Sequence, residues 1–301
     1  LEADSNGVLA DGTIYFHISG DAREDGSQLP QAIFEDVTEF ENYCQTFMAS
    51  VELTGAELAE EERVQPSKYQ RAIRDGLQRL MESMEQAFLW GVKATTTGAN
   101  GKPLRYTDGI ITMINDNVSD NIINFKTSTD SDYSGKTWLA AGQDLLDNVL
   151  LAVTKYATPG NTYKCYCGDL AWKAIIDLAR DQGYQEIETT QDEFGIVVRK
   201  VNGLFQDVEF YVHPCFRKFT PYRRSALFLK PELCRMLDMK GRGLTYIKAN
   251  RTNKSGGFWQ PENGTDWVDG IKEGWARQCT LEADQVESMA LVHNLGADNT
   301  N

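Results

Sequence analysis

Between Pro66 and about Trp90, apolar side chains recur at Tyr69, Ile73, Leu77, Leu80, Met84 and Phe88, at intervals of 4, 4, 3, 4 and 4 residues. Met81 and Leu89 widen the stripe. This is the period of an α-helix that is apolar along one face only. Pro66 stands where a first helical turn tolerates a missing N–H, and Gly91 marks the stop. At about 1.5 Å per residue the helix is a rod of nearly 40 Å. A rod of that length with one apolar face must lie along another layer, an arrangement few enzymes need. Tyr69, Ile73, Leu77, Leu80, Met84 and Phe88 are expected to be the core of that contact.

Charge is distributed unevenly. The 301 residues carry 30 Lys and Arg against 44 Asp and Glu, a net of −14, yet residues 1–62 alone hold fifteen carboxylates and a single base, Arg23. Residues 213–260 show the opposite surplus, eleven bases facing only Glu232 and Asp238. Either both are solvated faces that keep the chain soluble, or the two surpluses meet, within one chain or between copies. A nucleic-acid groove built on the basic stretch and its interleaved Phe216, Phe219, Tyr222 and Phe228 has the right composition. The acidic excess works against it, because phosphate attraction supplies most of such affinity.

The opening 55 residues hold two strand-like runs, Thr13 to Ile18 and Phe47 to Leu53, around a loop rich in Asp, Glu, Gly and Pro. They read as a long β-rich excursion with too few apolar residues for a core of its own. After the rod comes a glycine-rich connector, Thr95 to Pro103, and then the apolar run Gly109 to Ile114. A helix over Thr137 to Tyr156, a strand over Thr162 to Cys167 and a helix from Asp169, its expected N-cap, to Gly183 make an α/β middle. Trp172, Ile175, Ile176 and Ala179 should face inward. Asn202-Gly203 between Ile196–Val201 and Val208–Val212 signals a hairpin. The closing part, Gln278 to Leu295, runs from a strand into an apolar segment. No stretch approaches the roughly 20 apolar residues of a membrane span, so the expectation is a soluble, non-secreted chain.

Motifs for chemistry are sparse. Neither a Walker loop nor a dinucleotide fingerprint occurs, and there is no G-x-S-x-G elbow or H-E-x-x-H pair. Asp130 to Gly135 begins like a calcium loop, but position 12 is Ala141 where a bidentate Glu is needed. The six cysteines, 44, 165, 167, 215, 234 and 279, form no framework and read as free thiols. Cys165 and Cys167 share a strand face, but further ligands, among them His17, His213 and His293, lie far off in sequence. No metal and no cofactor is therefore expected. The best enzymatic reading is a carbohydrate-active hydrolase with paired carboxylates, in which Trp259, Trp267 and Trp275 near Asp266, Asp269 and Glu273 line a sugar cleft. With 44 carboxylates in the chain, some must fall near tryptophans by chance.

The order of parts, acidic β-rich excursion, long amphipathic helix, α/β middle and returning strands, resembles a tailed-phage major capsid protein of the Hong Kong 97-type fold. Local strings carry the resemblance further. Glu41 to Phe47 (ENYCQTF) with Val51 to Gly55 is similar to the returning E-loop strand, and Glu85 to Gly91 (EQAFLWG) with Asp108 to Ile114 (DGIITMI) to the end of the spine helix. Phe194 to Val198, Leu229 to Leu237, Thr280 to Glu282 and His293 to Leu295 resemble later strands and the closing segment. The resemblance implies an α+β fold with an N-terminal arm and extended E-loop over 1–55 and a P-domain over 56–135 with its spine helix at 66–90. An A-domain would follow over 136–250, then P-domain return strands and a C-terminal segment over 251–301. It implies no enzyme, but a structural subunit assembled in the host cell cytoplasm into the icosahedral head of a virion. Its partners would be other copies in hexamers and pentamers, a decoration or cement protein and a portal, with packaged double-stranded DNA enclosed without sequence-specific binding and no membrane. In that setting the two charge surpluses are expected to meet between subunits, through Glu35, Asp36, Glu39 and Glu41 on one side and Arg217, Lys218, Arg223 and Arg224 on the other.

Overall fold

The computed structural model describes Asp25 and residues 40–59, 67–155, 162–181, 188–191, 197–202, 207–247, 251–255, 258–261 and 270–299. In chain order these give β1 (Gln45–Thr54), α1 (Gly55–Ala59), α2 (Lys68–Trp90), β2 (Ala94–Thr97), β3 (Pro103–Tyr106), α3 (Ile110–Asn117) and β4 (Ile122–Asn124). Then follow α4 (Trp138–Thr154), β5 (Tyr163–Cys167), α5 (Asp169–Asp181), β6 (Glu188–Gln191), β7 (Val197–Asn202), β8 (Asp207–Val212) and α6 (Pro214–Lys218). The chain closes with β9 (Ala226–Leu229), β10 (Cys234–Asp238), β11 (Thr245–Ile247), β12 (Arg251–Ser255), β13 (Phe258–Pro261), β14 (Gly270–Ala283) and β15 (Ala290–His293). Among the described residues no helix is long and apolar enough to cross a membrane.

The rod is α2. Pro66 lies outside the described residues, and the side chain of Ser67 caps the helix by accepting from the Gln70 N–H at 3.5 Å. At the other end the Gly91 N–H returns to the Ala87 carbonyl at 2.8 Å. Leu80, Met84 and Leu89 are buried, while Tyr69, Ile73, Leu77 and Phe88 are half-buried. Met81 does not widen the stripe, for it is 44% exposed. The missing width is taken by Gly76, which is buried because strand β1 comes so near that a Cβ there would stand 2.8 Å from Val51 Cγ2.

The layer beneath the rod is a sheet ordered β1-β14-β10, with β11 also paired to β14. β14 is its axis: antiparallel to β1 from Gln45↔Cys279 to Thr54↔Gly270, and to β10 from Cys234↔Ala283 to Asp238↔Cys279. Alternation along β1 sends Phe47, Val51 and Leu53 inward toward α2 and β14, leaving Thr46, Met48 and Ser50 outside. The strand expected from Gln278 thus begins eight residues earlier, at Gly270. The reason lies in Gly270 and Gly274, which read as breakers in sequence. A Cβ at either would stand 2.7 and 2.5 Å from the Leu53 and Ala49 carbonyl oxygens.

A second, seven-stranded sheet has the order β4-β15-β9-β5-β8-β7-β6, with β5/β8 and β4/β15 parallel and the rest antiparallel. Its apolar core includes Leu145 and Val149 of α4, Ile175 and Leu178 of α5, and Tyr163, Cys165, Phe210 and Phe228 of the strands. α5 turns Ala171, Ala174, Ile175 and Leu178 inward, and Ile176 and Ala179 are only half-buried. The hairpin signalled by Asn202-Gly203 is present as β7/β8, but Asn202 pairs with Asp207, so its connection is longer than two residues. The sheets divide the chain differently from the linear spans expected. β4 and β15 join the second sheet from outside 136–250, and β10 and β11, inside that span, belong to the sheet under the rod.

Candidate assembly surfaces

Where α2 ends, three segments are tied together by one side chain. Asn42 Oδ1 accepts from the Asp108 N–H at 2.7 Å and the Tyr43 N–H at 2.8 Å, and its Nδ2 donates to the Leu281 carbonyl at 2.8 Å. The Thr107 N–H gives a 3.0 Å bond to Gln45 Oε1, and the Thr107 and Thr280 hydroxyls meet at 3.2 Å. Gly91 and Gly109 are bonded N–H to carbonyl at 3.0 Å, a closeness that side chains would forbid. The result is a rigid stem from which the β2/β3 hairpin projects.

Of the basic residues expected at an interface, Arg217 is exposed at the end of α6, next to Lys218, whose Nζ lies 3.6 Å from Glu82 of α2. Arg223 is committed within the subunit. Its Nε donates to Asp169 Oδ1 at 2.9 Å and its carbonyl accepts from Leu170 and Ala171 at the start of α5. That ion pair holds the Asp169 carboxyl below its usual range. Asp169 is thus the first residue of α5 rather than its side-chain cap, and Gly168 precedes it because a Cβ there would collide with the Arg223 carbonyl at 2.4 Å. Arg224 Nη1 donates to the Leu295 carbonyl at 3.1 Å. Glu41 is exposed, with its carbonyl bonded by Lys93 Nζ at 2.6 Å, whereas Glu35, Asp36 and Glu39 lie outside the described residues.

Beside Arg217 the structure assembles a cluster that sequence separates: Glu85, His213 and Cys215 bring a carboxylate, an imidazole and a thiol within 4.8 Å of one another. Hydrogen bonds already commit the imidazole. Nδ1 accepts from the Cys215 N–H at 3.3 Å, so in the neutral ring Nε2 carries the proton and gives it to Glu85 Oε1 at 2.9 Å. A metal on Nε2 would shift the proton to Nδ1 and set two N–H groups face to face. The cluster is a hydrogen-bonded tie between α2 and α6. The His213 bond, ahead of burial's opposing effect, lowers the Glu85 carboxyl, and burial followed by Glu85 pushes the Cys215 thiol up to about 11. Next to it Trp90 stacks on Phe219 with ring centres 5.3 Å apart and also meets Phe216 and Tyr222, so the aromatics of the basic stretch pack on the rod's last residue.

The residues of the hydrolase reading do not come together as a carboxylate pair among the described residues. Glu273 is buried, accepting from Tyr69 Oη at 2.7 Å and from Tyr246 Oη. Trp275 packs on Tyr246 and donates to the Ile73 carbonyl at 3.1 Å. Both serve the rod-sheet contact. Asp266, Trp267 and Asp269 lie outside the described residues, as does the side chain of Trp259. Cys165 and Cys167 are buried on one face of β5, and burial pushes Cys167 up to about 12. The Asp130–Gly135 segment is a turn in which Asp130 Oδ1 accepts from the Asp132 N–H at 3.1 Å, and Tyr133 points into the core against Phe125.

Residues 8–258 match the family model of the SU10 major capsid protein. The chain belongs to that family. Its fold is the Hong Kong 97-type capsid fold, and its role is that of a structural major capsid protein of a virion. Among solved structures, the satellite phage P4 procapsid including size determination (Sid) protein is similar at 11% identity and a TM-score of 0.54, covering 98% of this chain and 84% of that one. The cyanophage Pam1 capsid asymmetric unit is similar at 9% identity and 0.48, covering 91% and 83%. The holo-SrpI encapsulin complex of Synechococcus elongatus PCC 7942 follows at 10% and 0.47, covering 86% and 75%. No curated protein matches.

Proposed function

We propose that this capsid protein tiles a closed icosahedral shell as hexamers and pentamers around packaged double-stranded DNA, assembling in the host cell cytoplasm without catalysing a reaction. A portal and a decoration protein would be its other partners. The observation that carries the reading is the long sheet laid along the rod. Met48 of β1, Met236 and Leu237 of β10 and Ile247 of β11 are all exposed on it, a spread of apolar side chains that suits burial between subunits. Net charge of −14 suits a container for DNA, because a lining that attracted phosphate would hold the nucleic acid during packaging.

Within that shell the acidic first fifth, through Glu35, Asp36, Glu39 and Glu41, would rest on the basic stretch of a neighbouring copy. Each exposed pair is worth about 0–1 kcal/mol, so their joint effect is steering and register. Because Arg223 holds the start of α5, the bases free for a neighbour are led by Arg217, with Lys218 beside it. Arg217→Glu with Lys218→Glu should therefore slow assembly of a folded subunit, followed by light scattering. Unchanged assembly at low salt would leave the two surpluses as separate solvated faces. Shells in electron micrographs of the purified protein test the larger reading, and small monodisperse particles would oppose it.

A further inference from the structure

The hairpin between α2 and α3 is unsupported. All eight residues of β2 and β3 are exposed, on both faces. An isolated two-stranded hairpin is at best marginally stable in water, so a blade of this kind is expected to gain order from something packed against it. Its turn is nonetheless well made: Gly98 and Lys102 bond N–H to carbonyl at 2.8 Å, Asn100 Oδ1 accepts from the Lys102 N–H at 3.1 Å, and Gly101 takes φ +74°. The stem is clamped through Thr107, Asp108 and Asn42. A rigid root carrying a bare blade is a shape suited to insertion into a neighbour.

The blade's chemistry is specific. It contains no carboxylate from Lys93 to Thr107, but carries Lys102 at the tip and Arg105 opposite Thr95. Neither side chain has an ion-pair partner among the described residues. Leu104 and Tyr106 share the other face and are exposed. The same chain holds a surface of opposite character. Asp130, Asp132 and Asp144 converge around Tyr133 and help raise its phenol above the ordinary range, after burial, and Asp147 lies beside Asp144. Leu139 and Leu151, also on α4, are exposed at either side of this acidic stretch. One surface is basic with exposed apolar residues, the other acidic with exposed apolar residues.

We propose that the Ala94–Tyr106 hairpin is an assembly contact that seats Lys102, Arg105, Leu104 and Tyr106 on the Asp132/Asp144 face of a second copy of this chain. The contact rests on the shell reading above and names one of its joints. Like-charged copies at net −14 gain from it twice, through a matched pair and through masking part of the acidic excess.

The test compares wild type, Lys102→Glu with Arg105→Glu, and that variant combined with Asp132→Lys and Asp144→Lys, by sedimentation and electron microscopy. The first variant should melt like wild type but need an about tenfold higher protein concentration to assemble, with the charge swap restoring assembly. Wild-type particles formed equally by the hairpin variant would overturn the contact and leave the shell reading standing. Absence of particles from wild type itself would overturn both. Should a charge variant misfold, Leu104→Cys with Leu151→Cys serves instead: an intersubunit disulfide in assembled particles supports the contact, and its absence under oxidation opposes it.

Discussion

Replacing Asn42 by alanine should cost the subunit more than any other change at a half-exposed position. The side chain holds the Asp108 N–H at 2.7 Å and the Leu281 carbonyl at 2.8 Å, and Leu281 is buried. Alanine leaves both groups without a partner where water reaches them poorly. A hydrogen bond lost with both ends re-solvated costs about 0.5–1.5 kcal/mol, but a stranded buried group costs about 1–3. Two such groups, one half-buried, give roughly 2–4 kcal/mol. In a unit of this size each kcal/mol moves the melting midpoint by about 2–4 °C, so the expected fall is roughly 4–16 °C. Urea titration of unassembled subunits should show a lower midpoint at unchanged slope. Asn42→Asp should do no better, since it keeps the acceptor for Asp108 and turns a carboxylate oxygen toward the Leu281 carbonyl. If alanine lies within about 0.5 kcal/mol of wild type, the clamp is not what fixes the hairpin stem.

On the rod, Met84→Asp should abolish soluble folding, Leu77→Asp should be milder because Leu77 is half-buried, and a polar change at exposed Gln78 should leave thermal melts unchanged. Alanine at both Cys165 and Cys167 should produce no metal-dependent change in stability, checked by melts with and without chelator, and stoichiometric zinc in the purified protein would contradict it. In the native subunit these two thiols should resist alkylation at pH 8, since burial raises both far above that pH. Acid should weaken the fold in two steps. His293 is lowered from 6.5 by burial, with Ser225 Oγ at 2.8 Å, and Glu85 is lowered from 4.5 chiefly by His213. Both folded values lie below the unfolded ones, so each contribution is full above the unfolded pKa and is lost as pH falls through the folded one. Glu85→Gln should flatten the lower step in pH-dependent melts.

The rod was legible because an amphipathic period survives any tertiary context, and six stripe positions all turned out wholly or partly buried. Strand β14 was not, because the glycines that let β1 approach it look like breakers when no partner strand is in view. The hairpin was read as a connector for the same reason: Gly98, Asn100 and Gly101 punctuate the turn, and nothing in the sequence says that the strands on either side pair. Charge counting found the basic stretch, but local counting could not see Asp169, whose bond to Arg223 spans 54 residues. Nor could spacing join Glu85 to His213, since a tie between a helix and a distant loop leaves no period. Asn42 lies within the string that carried the family resemblance, yet a lone asparagine gives no sign of which three segments it will hold.

Electron cryo-microscopy of the purified full-length chain at rising protein concentration tests shell formation most directly. Closed particles should appear, with subunits in rings of six and five and the α2 rod lying on the β1-β14-β10 sheet in each. A chain that stays monomeric at every concentration, with and without crowding agents, would contradict a shell-forming subunit.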